Sequence, residues 1–583
     1  RVRFCVWSPT STNVNVCLED DGRRVTMKQQ QGGYHVAEIN GVKPGDRYLY
    51  QFDEGTPRPD PASRYQPDGV HGPSVVVSRE FDWTDNQWRG SSRETLVIYE
   101  LHIGAFTQKG TFASAIDRLD ELVELGITAI ELMPVADTAG RWNWGYDGVC
   151  LFAPNRNYGT PDDFRRLVDA AHGKGLAVVL DVVYNHLGPE GNYLGESGPY
   201  LSERHSTVWG SAPNFDDEIH GRELRRFFIA NAIHWFEEYH LDGLRVDAIH
   251  CMKDDSDRHV VAEMSEACSD WAAESQRKPL LIAESNVYDP QMLMSLEKGG
   301  IGFDAEWCDD FLHSVFAIVR PGENLCHRQY SPGTDLDQTL RKGYVYEGTL
   351  REERGRRQPE ERVDTSGLVY SIQHHDFIGN HPLGRRLHQL TSPETQRAAS
   401  ALLMLSPAIP MLFMGEEFAC ERPFQFFVDF SDPHLRDAVV EGRRREYPQH
   451  DWSDGVLPTD SQAFLSSKIG CRSDGDISMW EWYKSLIEVR HQWFAEGLLG
   501  DQQFSTFSSL DHGLFVVQYR HEGRLAMVAT RLAKLPCDSA TIDLANIELG
   551  WADGFPKPML DSRPGDAAGS LLLPNHAKVF VDF

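Results

Sequence analysis

EYHLDGLRVDAIH (238–250) holds the end of a helix, a tight turn and a short apolar strand that stops on a carboxylate. The helix is expected over about Glu223–Tyr239, and Asp242-Gly243 lead into a strand over Leu244–Ile249. Asp247 sits at the C-terminal end of that strand. Two more acids arrive the same way, Glu284 in LLIAES (280–285) and Asp376 in IQHHD (372–376). A carboxylate beside a buried strand interior is costly unless it has partners there. Three of them, each with a polar companion, point to one site assembled from separated segments.

The helix–turn–strand unit recurs outward from this point, beginning near Glu94. Thr111–Leu125 places Phe112, Ile116, Leu119, Leu122 and Val123 on one helical face, and Gly126 ends it. Thr160 caps a second helix whose first turn holds Pro161, Asp162 and Asp163. Strands are expected at 96–103, 127–134, 176–183, 243–249, 279–284, 301–307, 368–374 and 408–414. Near-continuous apolar strands alternating with helices predict a parallel sheet covered on both faces. The α/β fold that fits is a closed (β/α)8 TIM barrel, whose sites lie at the C-terminal strand ends. The barrel is expected over 91–494, with long functional loops at 187–221 and 312–366. Residues 1–90 read as an N-terminal β-sandwich, with PRPDPASRYQPDGVHGPS (57–74) as an ordered linker. Strands such as Leu514–Tyr519, Leu525–Thr530 and Val579–Phe583 predict a C-terminal β-sandwich over 495–583.

Composition narrows the function classes. The chain has 583 residues, 41% hydrophobic and 25% charged, the profile of a globular protein. Its formal net charge of -30 argues against nucleic acid or anionic membrane as a partner. The short basic clusters Arg354–Arg357 and Arg443–Arg445 read as solvated faces. The longest apolar stretch, Leu402–Met414, contains Pro407 and Pro410 and is too short to span a bilayer. Ten cysteines without a CxxC pair suit reduced thiols in the cytoplasm. The 23 histidines form no HExxH-type cluster, so no metal and no cofactor is expected. The sequence opens on Arg1 rather than methionine, so the native N-terminus is expected upstream of it.

The carboxylates come with distinct neighbours. DVVYNH (181–186) brings Asp181 and His186 to the end of the third strand. Arg245 precedes Asp247 by two residues, so both point to one face. Its charge favours the ionised form of Asp247, as a nucleophile requires. Glu284 needs the opposite setting, a raised pKa, to donate a proton at neutral pH. Asp376 is placed to hold sugar hydroxyls and to stabilise positive charge. His186 and His375 offer hydrogen-bond donors, and Trp142, Trp144 and Tyr146 offer flat surfaces for sugar rings. Paired carboxylates of this kind suit glycoside hydrolysis. A lone acid at a strand end is more often a cap or ion pair, and each tryptophan is as readily a core residue. The weight lies in the ordered set.

At DVVYNH, GLRVDAIH, IAES and HHD the chain resembles the α-amylase superfamily of glycoside hydrolases. That resemblance implies Asp247 as nucleophile, Glu284 as general acid/base and Asp376 as transition-state stabiliser. It implies substrate or charge positioning by His186, Arg245 and His375, and stacking on the reacting sugar by Tyr146. It further implies a covalent glycosyl-enzyme and retained anomeric configuration, with the two working carboxyls about 5–5.5 Å apart.

Within that superfamily the chain is similar to the maltooligosyltrehalose trehalohydrolases. The likeness runs through 59–74, YELHIGAFTQKGTF (99–112), AIELMPVAD (129–137), WGYDGVCLFAP (144–154), NHLGPEGNYL (185–194), PFQFFVDFSDP (423–433) and EGRRREY (441–447). It implies cleavage of the α-1,4 bond next to a terminal trehalose, a carbohydrate-binding N-terminal module, and functional coupling to a trehalose-forming synthase. His374, Phe377 and His381 depart from the usual NHDQIGNR pattern, and Asn286 replaces the usual Asp after the acid. Asn185 matches a calcium ligand of some α-amylases, without the acidic cluster that would complete it. A glucan branching or debranching enzyme and a non-catalytic glucan-binding scaffold remain the alternatives on this layout.

Overall fold

The computed structural model describes residues 1–581 except 324, 357–362, 501–503, 535–539, 548 and 550–554. Eight short parallel strands close into a barrel: β1 (Ile98–Leu101), β2 (Ala129–Leu132), β3 (Ala177–Val182), β4 (Gly243–Val246), β5 (Leu280–Ala283), β6 (Ala305–Trp307), β7 (Leu368–Tyr370) and β8 (Ile409–Phe413). Each lies inside one of the eight segments expected from the sequence. Closure is direct, since β8 pairs with β1 in parallel, Phe413 opposite Glu100.

Alternation along each strand divides the barrel into layers. Ile98, Ala129, Val179, Ile282, Trp307, Val369 and Met411 form an apolar plug inside it. Two residues further along, at the C-terminal ends, the alternation delivers Glu100, Glu131, Asp181 and Arg245 instead. The registers put Glu100 opposite Glu131 and Asp181 opposite Arg245. The polar site therefore rests on a dry floor.

Two of the expected helices compare as follows with their local signals. Thr160 caps Pro161–Gly173 through a capping box with Asp163. The helix expected over Thr111–Leu125 is instead two pieces, Phe112–Ile116 and Leu119–Leu125, broken at Asp117-Arg118. Arg118 turns inward there to donate to the Phe106 carbonyl at 2.9 Å. The long connections also carry structure of their own. Residues 187–221 hold a hairpin, Leu201–Thr207 with Gly210–Pro213. The segment 312–366 begins within the helix Asp310–Val319 and includes the helix Thr334–Lys342 and the hairpin Tyr346–Gly348/Glu353–Arg356. Residues 324 and 357–362 of that segment, and with them Arg357 of the basic cluster, lie outside the described residues.

Two β-layers flank the barrel. At the N-terminus, a three-stranded and a four-stranded sheet enclose Phe4, Val6, Val14, Val16 and Tyr50. The linker is ordered by buried polar contacts, Tyr48 Oη to Asp60 at 2.7 Å and Ser63 Oγ to Gln66 at 2.7 Å. At the C-terminus, a five-stranded antiparallel sheet faces a two-stranded one across Leu514, Val516, Met527, Leu544 and Phe580. Its other face packs Phe515, Val517 and Val528 into the main core. Several positions of the 495–583 region, including Cys537, lie outside the described residues.

Arg490 fastens the last barrel helix, Ile477–Ala495, to the turn before β8. Its guanidinium donates to the Met404, Ser406 and Ala408 carbonyls at 2.8, 2.9 and 2.8 Å. Arg490→Met keeps the bulk but leaves three buried acceptors unpaired. We expect a loss of about 3 kcal/mol or more, read as a lowered urea midpoint; an unchanged midpoint would contradict this view of barrel closure.

Candidate active site

The C-terminal rim of the barrel gathers the predicted residues around one cation. Arg245 is fully buried. Its Nη1 lies 2.7 Å from Asp181 Oδ2 and 2.7 Å from Asp247 Oδ1, and Nη2 lies 3.8 Å from Glu284 Oε2. The guanidinium also stacks over the Trp307 ring at 4.2 Å. Three strand ends thus meet through a single side chain.

Asp247 is held from a second direction. Asn185 Nδ2 donates to both the Asp247 carbonyl and its Oδ2 at 2.9 Å. The Asn185 amide is thereby committed to the carboxylate that follows β4. Just past Asp247 the chain makes an uncommon turn: Ala248 adopts φ 40, ψ 51, in the left-handed region. That turn aims the Ala248 N–H at Glu284 Oε2. Strain at a non-glycine residue is retained where surrounding structure enforces it, and here it ties the two acids together.

The carboxyls have different electrostatic settings. Burial pushes Glu284 up to about 8, and Asp247 and Asp376 add to the rise while Arg245 opposes it. Burial also lifts Asp181 to about 6 against the pull of Arg245. Asp376 moves the other way. Its desolvation is outweighed by the His375, His374 and Arg245 cations, which hold it below the ordinary carboxylate value. Its side chain remains half exposed toward the mouth of the barrel.

Tyr146 lies at the centre of the rim. Its hydroxyl donates to Asp181 Oδ2 at 2.7 Å and lies 2.8 Å from His375 Nε2, with the two rings stacked 5.3 Å apart. Gly145 makes this placement possible. It has φ 108, and a Cβ there would fall 2.1 Å from the Pro134 carbonyl oxygen.

The expectation for Trp144 needs correction. Trp144 is only 2% exposed, donates Nε1–H to the Gln425 carbonyl at 2.9 Å, and stacks on Phe424. It has no face to offer a sugar and instead backs Tyr146 and His375 from below. Trp142 is half-buried, stacked on Phe464 at 5.6 Å with the Arg141 guanidinium 4.2 Å from its ring. The PFQFFVDF segment supplies both packing partners' surroundings, since Phe424, Gln425 and Phe427 all lie beneath this loop.

Other groups were not legible in the sequence. Glu100, at the end of β1, bonds the Nδ1 of His375 and accepts the His375 backbone N–H at 3.1 Å. A lone acid within the apolar run IYEL was the only signal. Trp209, at the turn of the 201–213 hairpin, stacks on His186 at 4.8 Å and remains partly exposed. The substituted residues also find partners: His374 pairs with Asp309 at 3.3 Å, and Phe377 packs on Phe316 at 5.3 Å. Away from the rim, His205, Asp216 and Asp255 bring ligand-type atoms within 4.8 Å of one another. The Arg204 guanidinium, 2.8 Å from Asp216, already supplies compensating charge there.

The raised Glu284 carboxyl is directly observable. Infrared difference spectra between this protein and Glu284→Gln should show a protonated carboxyl that disappears with a midpoint near pH 8. A midpoint near the ordinary value of about 4.3 would contradict the described burial.

Comparison with known proteins identifies the family and the fold. Residues 76–209 match the model of the alpha amylase catalytic domain, and residues 1–65 that of carbohydrate-binding module 48, the isoamylase N-terminal domain. A malto-oligosyltrehalose trehalohydrolase from Saccharolobus solfataricus is 40% identical over 90% of this chain and 90% of its own. One from Deinococcus radiodurans is 39% identical over 84% of this chain and 81% of its own. A solved structure from Salmonella typhimurium, provisionally named an alpha amylase, superposes with a TM-score of 0.87 at 33% identity and covers 100% of this chain and 97% of its own. With this identity sustained along nearly the whole length, on an eight-stranded barrel with an N-terminal glucan-module sandwich, the chain belongs to the malto-oligosyltrehalose trehalohydrolase family of α-amylase-type glycoside hydrolases.

Proposed function

We propose that this protein is a retaining glycosidase that cleaves the α-1,4-glucosidic bond next to the terminal trehalose of maltooligosyl trehalose and releases trehalose. The observation that carries the reading is the Arg245 hub, where Asp247 and Glu284 share one cation but differ in setting. Glu284, its pKa pushed up to about 8 mainly by burial, is protonated at neutral pH and donates to the glycosidic oxygen. Asp247, held by Arg245 and Asn185, attacks the anomeric carbon as the bond to the leaving trehalose breaks. The product of that step is a glycosyl ester on Asp247. Glu284, now a carboxylate, takes a proton from water, whose oxygen displaces Asp247 from the sugar. Asp376 remains ionised beside the ring and offsets the positive charge that develops there. Tyr146 supplies the stacking face, and His186, with Trp209 upon it, forms a further edge of the cleft.

Substrate class rests on two supports. The α-amylase-type barrel and glucan-module sandwich suit an α-glucan, and the trehalose-capped end follows from the names of the relatives. We extend the proposal to residence in the cytoplasm. Among the described residues nine cysteines are unpaired, and no helix is long and apolar enough to cross a membrane. A trehalose-capping synthase would supply the substrate, as a functional rather than a structural partner.

The test is product identification after incubation with maltopentaosyl-type trehalose and with plain maltooligosaccharide. Preferential release of trehalose is expected; new α-1,6 linkages, or inertness of the folded protein on both, would overturn the proposal. Asp247→Asn and Glu284→Gln should each reduce turnover by on the order of 10^4-fold with an unchanged circular dichroism spectrum. Near-normal turnover in either variant would remove its assigned role. The alkaline limb of kcat/KM should lie near pH 8, because a raised pKa keeps the acid protonated up to that value and activity falls as pH rises through it.

A further inference from the structure

We propose that Glu100 is a positioning residue for this reaction: it holds His375 as a doubly protonated imidazolium and so fixes the direction of a hydrogen-bond chain running from β1 to Arg245. The inference rests on the reading of Asp376 and Tyr146 as parts of the reaction site. Glu100 takes no step in that mechanism, yet it is only 1% exposed and lies at the C-terminal end of a barrel strand.

Glu100 grips His375 twice, through the ring Nδ1 and through the backbone N–H. A carboxylate accepts, so Nδ1 carries a proton. On the other side of the ring, Nε2 lies 2.8 Å from Tyr146 Oη and 3.5 Å from Asp376 Oδ1. The Tyr146 hydroxyl has one proton, and it is given to Asp181 Oδ2 at 2.7 Å. Tyr146 Oη must then accept from His375, and Nε2 must also carry a proton. Asp181 in turn accepts from Arg245 Nη1 at 2.7 Å, the same nitrogen that bonds Asp247. Read in order, Glu100, His375, Tyr146, Asp181, Arg245 and Asp247 alternate in charge around one neutral hydroxyl. A neutral His375 would instead present a lone pair to both Asp376 and Tyr146 Oη. The chain would lose its direction, and Asp376 would lose its adjacent cation.

The ionisable groups facing the ring agree. Glu100 and Asp376 lie on the acidic side, with Arg245, His374 and His102 on the other. Burial disfavours the imidazolium, but Glu100 and Asp376 overcome it and raise His375 to about 9. Glu131, opposite Glu100 across the β1–β2 pair, is driven well above the ordinary carboxylate value by burial and by Glu100.

Two measurements test the proposal. The first uses the unaltered, substrate-free protein labelled with 15N-histidine, so it stands or falls apart from the substrate reading. His375, assigned by its loss in His375→Gln, should show both ring nitrogens protonated at pH 7. A neutral tautomer would overturn the proposal. The second compares Glu100→Gln with Glu100→Asp on maltooligosyl trehalose. Glu100→Gln should lower kcat by roughly 10- to 100-fold, the range seen for outer partners that orient functional groups, with KM changed less than about threefold. Its His375 should be neutral at pH 7, and Glu100→Asp should recover part of both. An unchanged kcat, or a lowered kcat with His375 still an imidazolium, would overturn the positioning role. The NMR result on the unaltered protein decides the matter even where Glu100→Gln fails to fold.

Discussion

A guanidinium with no access to solvent needs acceptors and compensating charge from the protein, and at the barrel mouth carboxylates meet that need for Arg245. Arg245 is delivered inward by the alternation of β4, one step above an apolar floor. Breaking a buried ion pair by removing one partner costs about 3–5 kcal/mol. Asp181, Asp247 and Glu284 are therefore bound to the folded state as much as to its chemistry. They lie at different distances from the shared cation: contacts at 2.7 Å serve Asp181 and Asp247, while Glu284 stands off at 3.8 Å. Burial raises the Glu284 carboxyl to about 8.

The remainder of the fold holds this cluster in place. The strained Ala248 turn ties Glu284 to the backbone after Asp247, and Gly145 lets the chain pass close enough to Pro134 for Tyr146 to reach Asp181. Trp144, Phe424 and Phe427 fill the space below. The FFVDF segment, distant in sequence, is in this way coupled to the histidine–tyrosine side of the site. Arg490 works at the N-terminal end of β8, the strand between β7 and β1, satisfying the carbonyls that precede it where the barrel closes on β1.

Much of this was legible in the sequence because short parallel strands buried on both faces read as apolar runs. Each of the eight runs contains its strand, and the acids at three ends were conspicuous for being out of place. What escaped notice depended on long-range register. Glu100 and Glu131 each look like one polar residue in an otherwise apolar strand, and only the pairing of β1 with β2 sets them side by side. Trp144 was read as a sugar platform because aromatic residues near catalytic loops carry no sign of which way they face; its burial is decided by residues 423–427. The helix over 111–125 has an unbroken apolar stripe, and its interruption comes from Arg118 reaching a carbonyl in the preceding loop. Periodicity does not encode such a contact.

The central claim is that Asp247 and Glu284, gathered on Arg245, perform a double displacement. Proton NMR of the newly formed reducing end during the first minutes of maltooligosyl trehalose hydrolysis tests it most directly. Two inversions at the anomeric carbon predict that the α-anomer appears first and then mutarotates toward equilibrium. Initial appearance of the β-anomer would mean a single displacement by water and would contradict the assignment of Asp247 as nucleophile.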